Sequence, residues 1–227
     1  MPLALLAFTV PLVLLLAAIA ARLWERRLIW PYVPADGSTV ATRYTASATA
    51  AAEALGFTPH GVFRDGKGRI YRIRYELWLS RERDALLLIG GGSLAGIPVD
   101  GSWLFTRLSN GKCLTTLDDE RGSEYDLAGL AQEAVYSGVP LEALLDSHRR
   151  RVASAEAPAL PYSDPVSDHR EMLSRRISTL AQRGYATFCG ETGEGWRYTA
   201  KGALVATFAS YWAGLRRGLR RMVTGRP

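Results

Sequence analysis

The chain has 227 residues with 28 Lys or Arg against 22 Asp or Glu, a net charge of +6, and only two cysteines and three histidines. Cys113 and Cys189 stand far apart, so two buried thiols are expected and not a disulfide framework. With His60, His148 and His169 scattered, no metal and no cofactor is expected. From Ala200 to Pro227 there are six basic residues and no acidic one, while the other 199 residues carry 22 of each sign. The excess charge belongs to one terminal segment, not to a basic globular surface.

Pro2–Ala21 carries no side-chain charge and ends at Arg22. About 20 apolar residues let a helix cross a bilayer, so this stretch is expected to be a transmembrane anchor. Pro11 would kink it. Arg22, Arg26 and Arg27 follow the run and nothing basic precedes it. The positive-inside rule then gives a single-pass inner-membrane protein with a cytoplasmic domain. Trp24, Trp30 and Tyr32 suit the headgroup level. The alternative is export after signal cleavage at Ala18-Ile19-Ala20, against which stand the absent basic n-region and the long apolar core.

The expected organisation is an anchor (1–24), a juxtamembrane linker (25–39), an α+β domain with an antiparallel sheet (40–156), a Pro-rich linker (157–167) and a helical C-terminal unit (168–227). Val40–Leu55 reads as a helix, with Gly56 where a left-handed cap would sit. Asp65-Gly66-Lys67-Gly68 signals a turn. Tyr71, Ile73, Tyr75, Leu77 and Leu79 then alternate with Arg72, Arg74 and Glu76, the period of a half-buried strand. Ala85–Ile89 is a short, wholly apolar strand. Asn110-Gly111 joins Trp103–Leu108 to Lys112–Leu117 as a hairpin whose central residues both need positive φ. The stretch Phe57–Asp118 is thus an antiparallel meander. Helices are expected at Tyr125–Tyr136, at Pro140–Ala155 with Leu141, Leu144, Leu145, His148 and Val152 as its apolar stripe, and near Asp168–Arg183. Ala157–Pro165, with three prolines, marks the boundary. Two short strands around Tyr185–Cys189 and Trp196–Thr199 precede a last helix, Ala200–Met222.

No coherent catalytic set emerges. Gly90, Gly92 and Ala95 match G-x-G-x-x-A, but a dinucleotide loop needs a helix to open there, and Ile97-Pro98-Val99-Asp100-Gly101 follows. The same objection meets a phosphate loop and a nucleophile elbow at Ser93. A glycine-relieved connection between strands accounts for the stretch. Asp118-Asp119-Glu120 lacks calcium-loop spacing and suits a solvated turn. His148 beside Arg149–Arg151 reads as a charged helix end, and His169 as an exposed helix start.

The tail carries the functional signal. On a helix, Leu204, Phe208, Trp212, Leu215 and Leu219 share a face beside Tyr211, and the uncharged part, Gly202–Leu215, is too short to span a bilayer. The candidate lipid- or partner-binding residues are Lys201, Trp212, Arg216, Arg217, Arg220 and Arg221. Each basic residue near an anionic surface contributes about 1 kcal/mol. The alternative is that the apolar face packs on the protein itself and the arginines only cap the helix.

Leu180-Ala181-Gln182-Arg183-Gly184-Tyr185-Ala186 and Trp196-Arg197-Tyr198-Thr199-Ala200-Lys201-Gly202 resemble the helix–wing–helix end of bacterial winged-helix regulators. The resemblance implies a short β-wing and, as one alternative, a membrane-tethered DNA-binding regulator. Glu191 and Glu194 fall in the wing where phosphate contact wants basic residues, so nucleic acid is not the expected partner. A second alternative is a hydrolase using Ser93. The principal expectation is a membrane-anchored, non-enzymatic adaptor or membrane-surface module whose tail meets anionic lipid or an acidic protein.

Overall fold

The computed structural model describes residues 13, 15–21, 23, 33–35, 42–65, 71–94, 97–118, 126–136, 138–189 and 195–224. These divide into two compact units. The larger lies within Trp30–Met172, and the smaller is made of described parts of Leu173–Arg226 and Met1–Ile29.

Helix α1 (Arg43–Ala54) opens the larger unit. Thr42 caps it, its hydroxyl accepting from the Thr45 amide at 3.2 Å, which satisfies one of the first-turn donors that a helix leaves open. Gly56 ends it at φ +81° as expected. Phe57 N donates to Ala52 O and Gly56 N to Glu53 O, the paired bonds of a Schellman cap.

The expected meander is present: β2 (Thr58–Asp65), β3 (Tyr71–Leu79), β4 (Leu86–Leu94), β5 (Ile97–Leu108) and β6 (Cys113–Asp118) pair antiparallel in sequence order. Strand β1 (Val33–Pro34) pairs with β2, and β8 (Ala159–Leu160) with β5. The fold is α+β with a mostly antiparallel sheet. Tyr125–Tyr136, expected as a helix, instead holds β7 (Ala131–Val135), parallel to β6. Local helix preference of Ala, Gln and Glu yields there to ladder bonds and to a clamp. Arg151 donates through one guanidinium nitrogen to Thr115 O at 2.5 Å and through another to Gln132 O at 2.6 Å, bridging the two strands. Residues 157–167, read from composition as a linker, contain β8 and the buried Tyr162, whose hydroxyl donates to Phe105 O.

One face of the sheet presents Trp78, Leu87, Ile89 and Leu104 to Ala48 and Ala52 of α1 and to Leu144 and Leu145 of α2 (Leu141–Ala153). The other presents Phe63, Tyr75, Leu77, Leu79, Leu86 and Leu88 to Tyr162, with Val166 of α3 (Pro165–Gln182) packed beside them. Leu86 to Ile89 are wholly buried, as a strand covered on both faces requires. The alternation in β3 overstates its exposure, because Glu76 also lies under α1. It accepts from Thr49 at 2.7 Å and pairs with Arg74 at 2.9 Å.

Gly90–Gly92 are not a connection: they sit inside β4, bonded to β3 and β5 on either side. A Cβ at Gly91 would stand 2.5 Å from Thr45 Cγ2 and 2.6 Å from Asp100 Oδ1, and one at Gly90 would stand 2.7 Å from the Trp103 ring. Bare backbone is what lets the first turn of α1 rest on the sheet. Gly91→Ala should therefore destabilise the larger unit by about 2 kcal/mol, read as a lowered urea midpoint at unchanged slope. At the β5–β6 hairpin Gly111 alone has positive φ (+78°) and its amide donates to Leu108 O, so the turn is not the two-residue type with both central residues left-handed.

The smaller unit contains the expected hairpin, β9 (Ala186–Phe188) with β10 (Trp196–Tyr198), and helix α4 (Ala200–Thr224). In the N-terminal run, residues 13, 15–21 and 23 are helical. The rest of that run, the aromatic flank Trp24, Trp30 and Tyr32, the Gly66–Gly68 turn and the acidic residues Asp119, Glu120 and Glu124 lie outside the described residues. The single-pass anchor and the inner-membrane placement built on it are corrected by the structure. Among the described residues no helix is long and apolar enough to cross a membrane. Helix α4 is long enough, but its last turns are basic.

Candidate functional site

The polar groups buried in the larger unit satisfy one another. His148, placed by sequence in an apolar stripe, is fully buried. Its Nδ1 lies 2.8 Å from the Thr116 hydroxyl and its Nε2 2.9 Å from the Thr106 hydroxyl. Thr106 donates onward to Asp84 O, and Arg151 donates to the Thr116 hydroxyl. One proton arrangement serves all four bonds: Nε2 carries the hydrogen and donates to Thr106, while Nδ1 accepts from Thr116. Burial, then the nearby Arg151 charge, push His148 down to about 4. Burial alone pushes His169 down to about 3. It is not the exposed helix start that composition suggested, since its ring is buried 4.8 Å from that of Phe105.

A second polar group gathers at the start of α1. The Tyr44 hydroxyl is 2.8 Å from Ser102 Oγ and donates to Asp118 at 3.2 Å, and Thr42 donates to Asp100 at 2.9 Å. Burial, with Asp118 and Asp100 nearby, holds the Tyr44 phenol above its ordinary range. These contacts fix α1 on the sheet. Neither group leaves a set of donors for a metal, and none is found among the described residues. Ser93 sits within β4 between Arg72 of β3 and Pro98 of β5, not at the strand-to-helix turn a nucleophile elbow needs. Of the cysteines Cys113 is buried as expected, but Cys189 is exposed.

Helix α4 is built differently. Thr199 stitches its first turn to the segment before the hairpin, accepting from Gly202 N at 3.0 Å and donating to Gly184 O at 2.7 Å. Glycine at 202 is obligatory, because a Cβ there would collide with the Tyr185 carbonyl. From that point two rows of small residues run along one side at steps of three and four: Gly202, Ala206, Ala209, Ala213, and Ala203, Thr207, Ser210, Gly214. Gly202, Ala203, Ala206 and Thr207 are buried. Past Gly214 the same rows continue as Arg216 and Arg220, and as Arg217 and Arg221. The side of the helix that packs thus turns into the side that carries charge.

The apolar stripe is separate from both. Leu204, Phe208, Tyr211, Trp212, Leu215, Leu219 and Met222 are all exposed, from 45% at Leu204 to 75% at Met222. It runs unbroken past the point where the packing rows become basic. The sequence found this face up to Leu219, but it missed Met222 and the switch in the opposite rows. Row-by-row reading of Ala and Gly positions would have revealed that switch.

Of the predicted site residues, Trp212 and Arg216 are brought together, the guanidinium carbon 5.2 Å from the ring centroid. Arg217, Arg220 and Arg221 share the last three turns of the helix with Arg216. Lys201 stands apart, ~22 Å along the axis from Arg216 at the helical rise. Its ammonium donates to Arg183 O and lies 5.0 Å over the Tyr185 ring. It fastens the helix to its unit instead of joining the arginines. Residues 173–226 carry ten basic and two acidic side chains, whereas 30–172 carry fifteen and nineteen. The basic field therefore coincides with the unit that bears the stripe.

Comparison with known proteins returns no matching family model, no matching curated protein and no matching solved structure.

Proposed function

We propose that the chain is a non-enzymatic membrane-surface module that lays α4 along an anionic bilayer, stripe inward. The observation that carries this reading is the continuity of an exposed, bulky apolar stripe along a helix whose other side is first packed and then arginine-rich. Such a helix lies in the interface plane, its apolar face reaching the acyl boundary and its cations among the headgroups. Each bulky side chain moved out of water contributes about 1 kcal/mol or more, and each arginine about 1 kcal/mol at an anionic surface.

Charge separates this occupant from a second copy of the chain. Residues 200–227 contain no acid, so two stripes set face to face leave Arg216, Arg217, Arg220 and Arg221 of each copy without a counter-charge from the other's helix. An anionic lipid surface supplies the missing counter-charge. The test is an environment-sensitive fluorophore on Met222→Cys, with the exposed Cys189 changed to serine so that only the tail is labelled. Anionic vesicles should shift its emission to the blue. Unchanged emission at saturating lipid would remove the reading.

A further inference from the structure

Resting on that membrane-surface reading, we infer that Trp212 and Arg216 form a phosphate-recognising pair, and that its ligand is the phosphate of a lipid headgroup. The four arginines are not equivalent. Arg216 has stripe residues at both neighbouring helical positions, Trp212 four residues before it and Leu219 three after it. Arg217, Arg220 and Arg221 have no stripe residue at those spacings. Arg216 is therefore the arginine that borders the stripe and stands at the level where acyl chains give way to headgroups.

Its guanidinium is already placed. Helical side chains lean toward the N-terminus, which brings Arg216 over the ring of Trp212 at 5.2 Å. A guanidinium held over an aromatic face is attracted through its charge and needs no N–H bond to stay there, and the N–H fork of an arginine matches two phosphate oxygens at once. Trp212 is itself 56% exposed and belongs to the stripe, so the ring enters the interface with the cation it supports. A lysine could supply the charge at this position but neither the stack nor the fork.

The experiment uses the full chain, vesicles of phosphatidylglycerol in phosphatidylcholine, and the variants Arg216→Lys, Arg220→Lys, Trp212→Leu and Trp212→Leu with Arg216→Lys. All keep the net charge, and Trp212 and Arg216 are exposed. Arg216→Lys should weaken partitioning about fivefold and Arg220→Lys less than twofold. In the Trp212→Leu background Arg216→Lys should have no further effect, because the pair acts as a unit. Inorganic phosphate, matched in ionic strength with chloride, should not displace the protein. Equal losses at the two arginines, an undiminished Arg216→Lys effect without the tryptophan, or displacement by free phosphate would each overturn the pair. A wild-type chain that does not bind the vesicles would instead remove the membrane reading beneath it.

Discussion

Replacing Phe208 and Leu215 together by aspartate should abolish binding to anionic vesicles, with a loss of three orders of magnitude or more. Both side chains are 54% exposed, so their removal takes nothing from a core, and the melting temperature should stay within the small range of surface changes. The loss has two sources. Each substitution forfeits the transfer of a bulky apolar side chain, about 2 kcal/mol. Each also introduces a negative charge that offsets roughly one arginine at the surface, about 1 kcal/mol. Phe208 lies about two turns before Arg216, where the packing rows turn basic, and Leu215 directly before it. The double variant therefore tests whether the stripe itself holds the helix to lipid. Binding retained within tenfold of wild type would show that the arginines alone hold the protein to lipid.

Acid should destabilise the larger unit well before its carboxylates titrate. His148 and His169 are buried and neutral, with proton affinities lowered to about 4 and about 3, while an unfolded histidine titrates near 6.5. Between 6.5 and those folded values the unfolded chain takes up protons that the folded chain refuses. Stability is fully present above 6.5 and declines as pH falls through this window, by about 1.4 kcal/mol per unit for each ring. Urea unfolding at pH 7 and pH 5 should differ by about 4 kcal/mol in total. His148→Gln should remove roughly half of that dependence, at the cost of a lower stability at neutral pH through the bonds to Thr106 and Thr116. A stability independent of pH across this range would mean that the rings are solvated in the folded state.

Where local pattern and tertiary need agree, the sequence was legible. The alternation in β3, the apolar run of β4 and the Gly56 cap are each dictated by a periodicity or a φ value that few residues allow. Strand β7 was not legible. Four of its five residues favour a helix, and what makes them a strand is a parallel neighbour and the guanidinium of Arg151, both outside its local sequence. The glycines of β4 misled for a similar reason. Gly-Gly-Gly looks like slack, but here it clears space for Thr45 and Trp103. Pairing of distant elements also hid the burial of His169, which composition left at an exposed helix start, and the threonine partners of His148, which helical spacing had placed in an apolar stripe. The apolar N-terminal run, with its basic and aromatic flank, was read as a membrane span, whereas among the described residues no helix is long and apolar enough to cross one.

The candidate surface was half legible. Helical spacing alone gave the stripe and its arginines. It could not say whether the stripe was packed or bare, because periodicity marks a common face without naming what covers it. Lys201 shows the limit in the other direction, since its charge suggested a lipid contact while its ammonium is committed to Arg183 and Tyr185.

The most direct measurement is co-sedimentation of the full chain with vesicles of rising phosphatidylglycerol content, at low and at high salt. The account predicts binding that increases with anionic lipid, weakens with salt through the arginines, and is lost in the Phe208→Asp, Leu215→Asp variant. Binding that ignores both lipid charge and salt, or no binding at any composition, would contradict it.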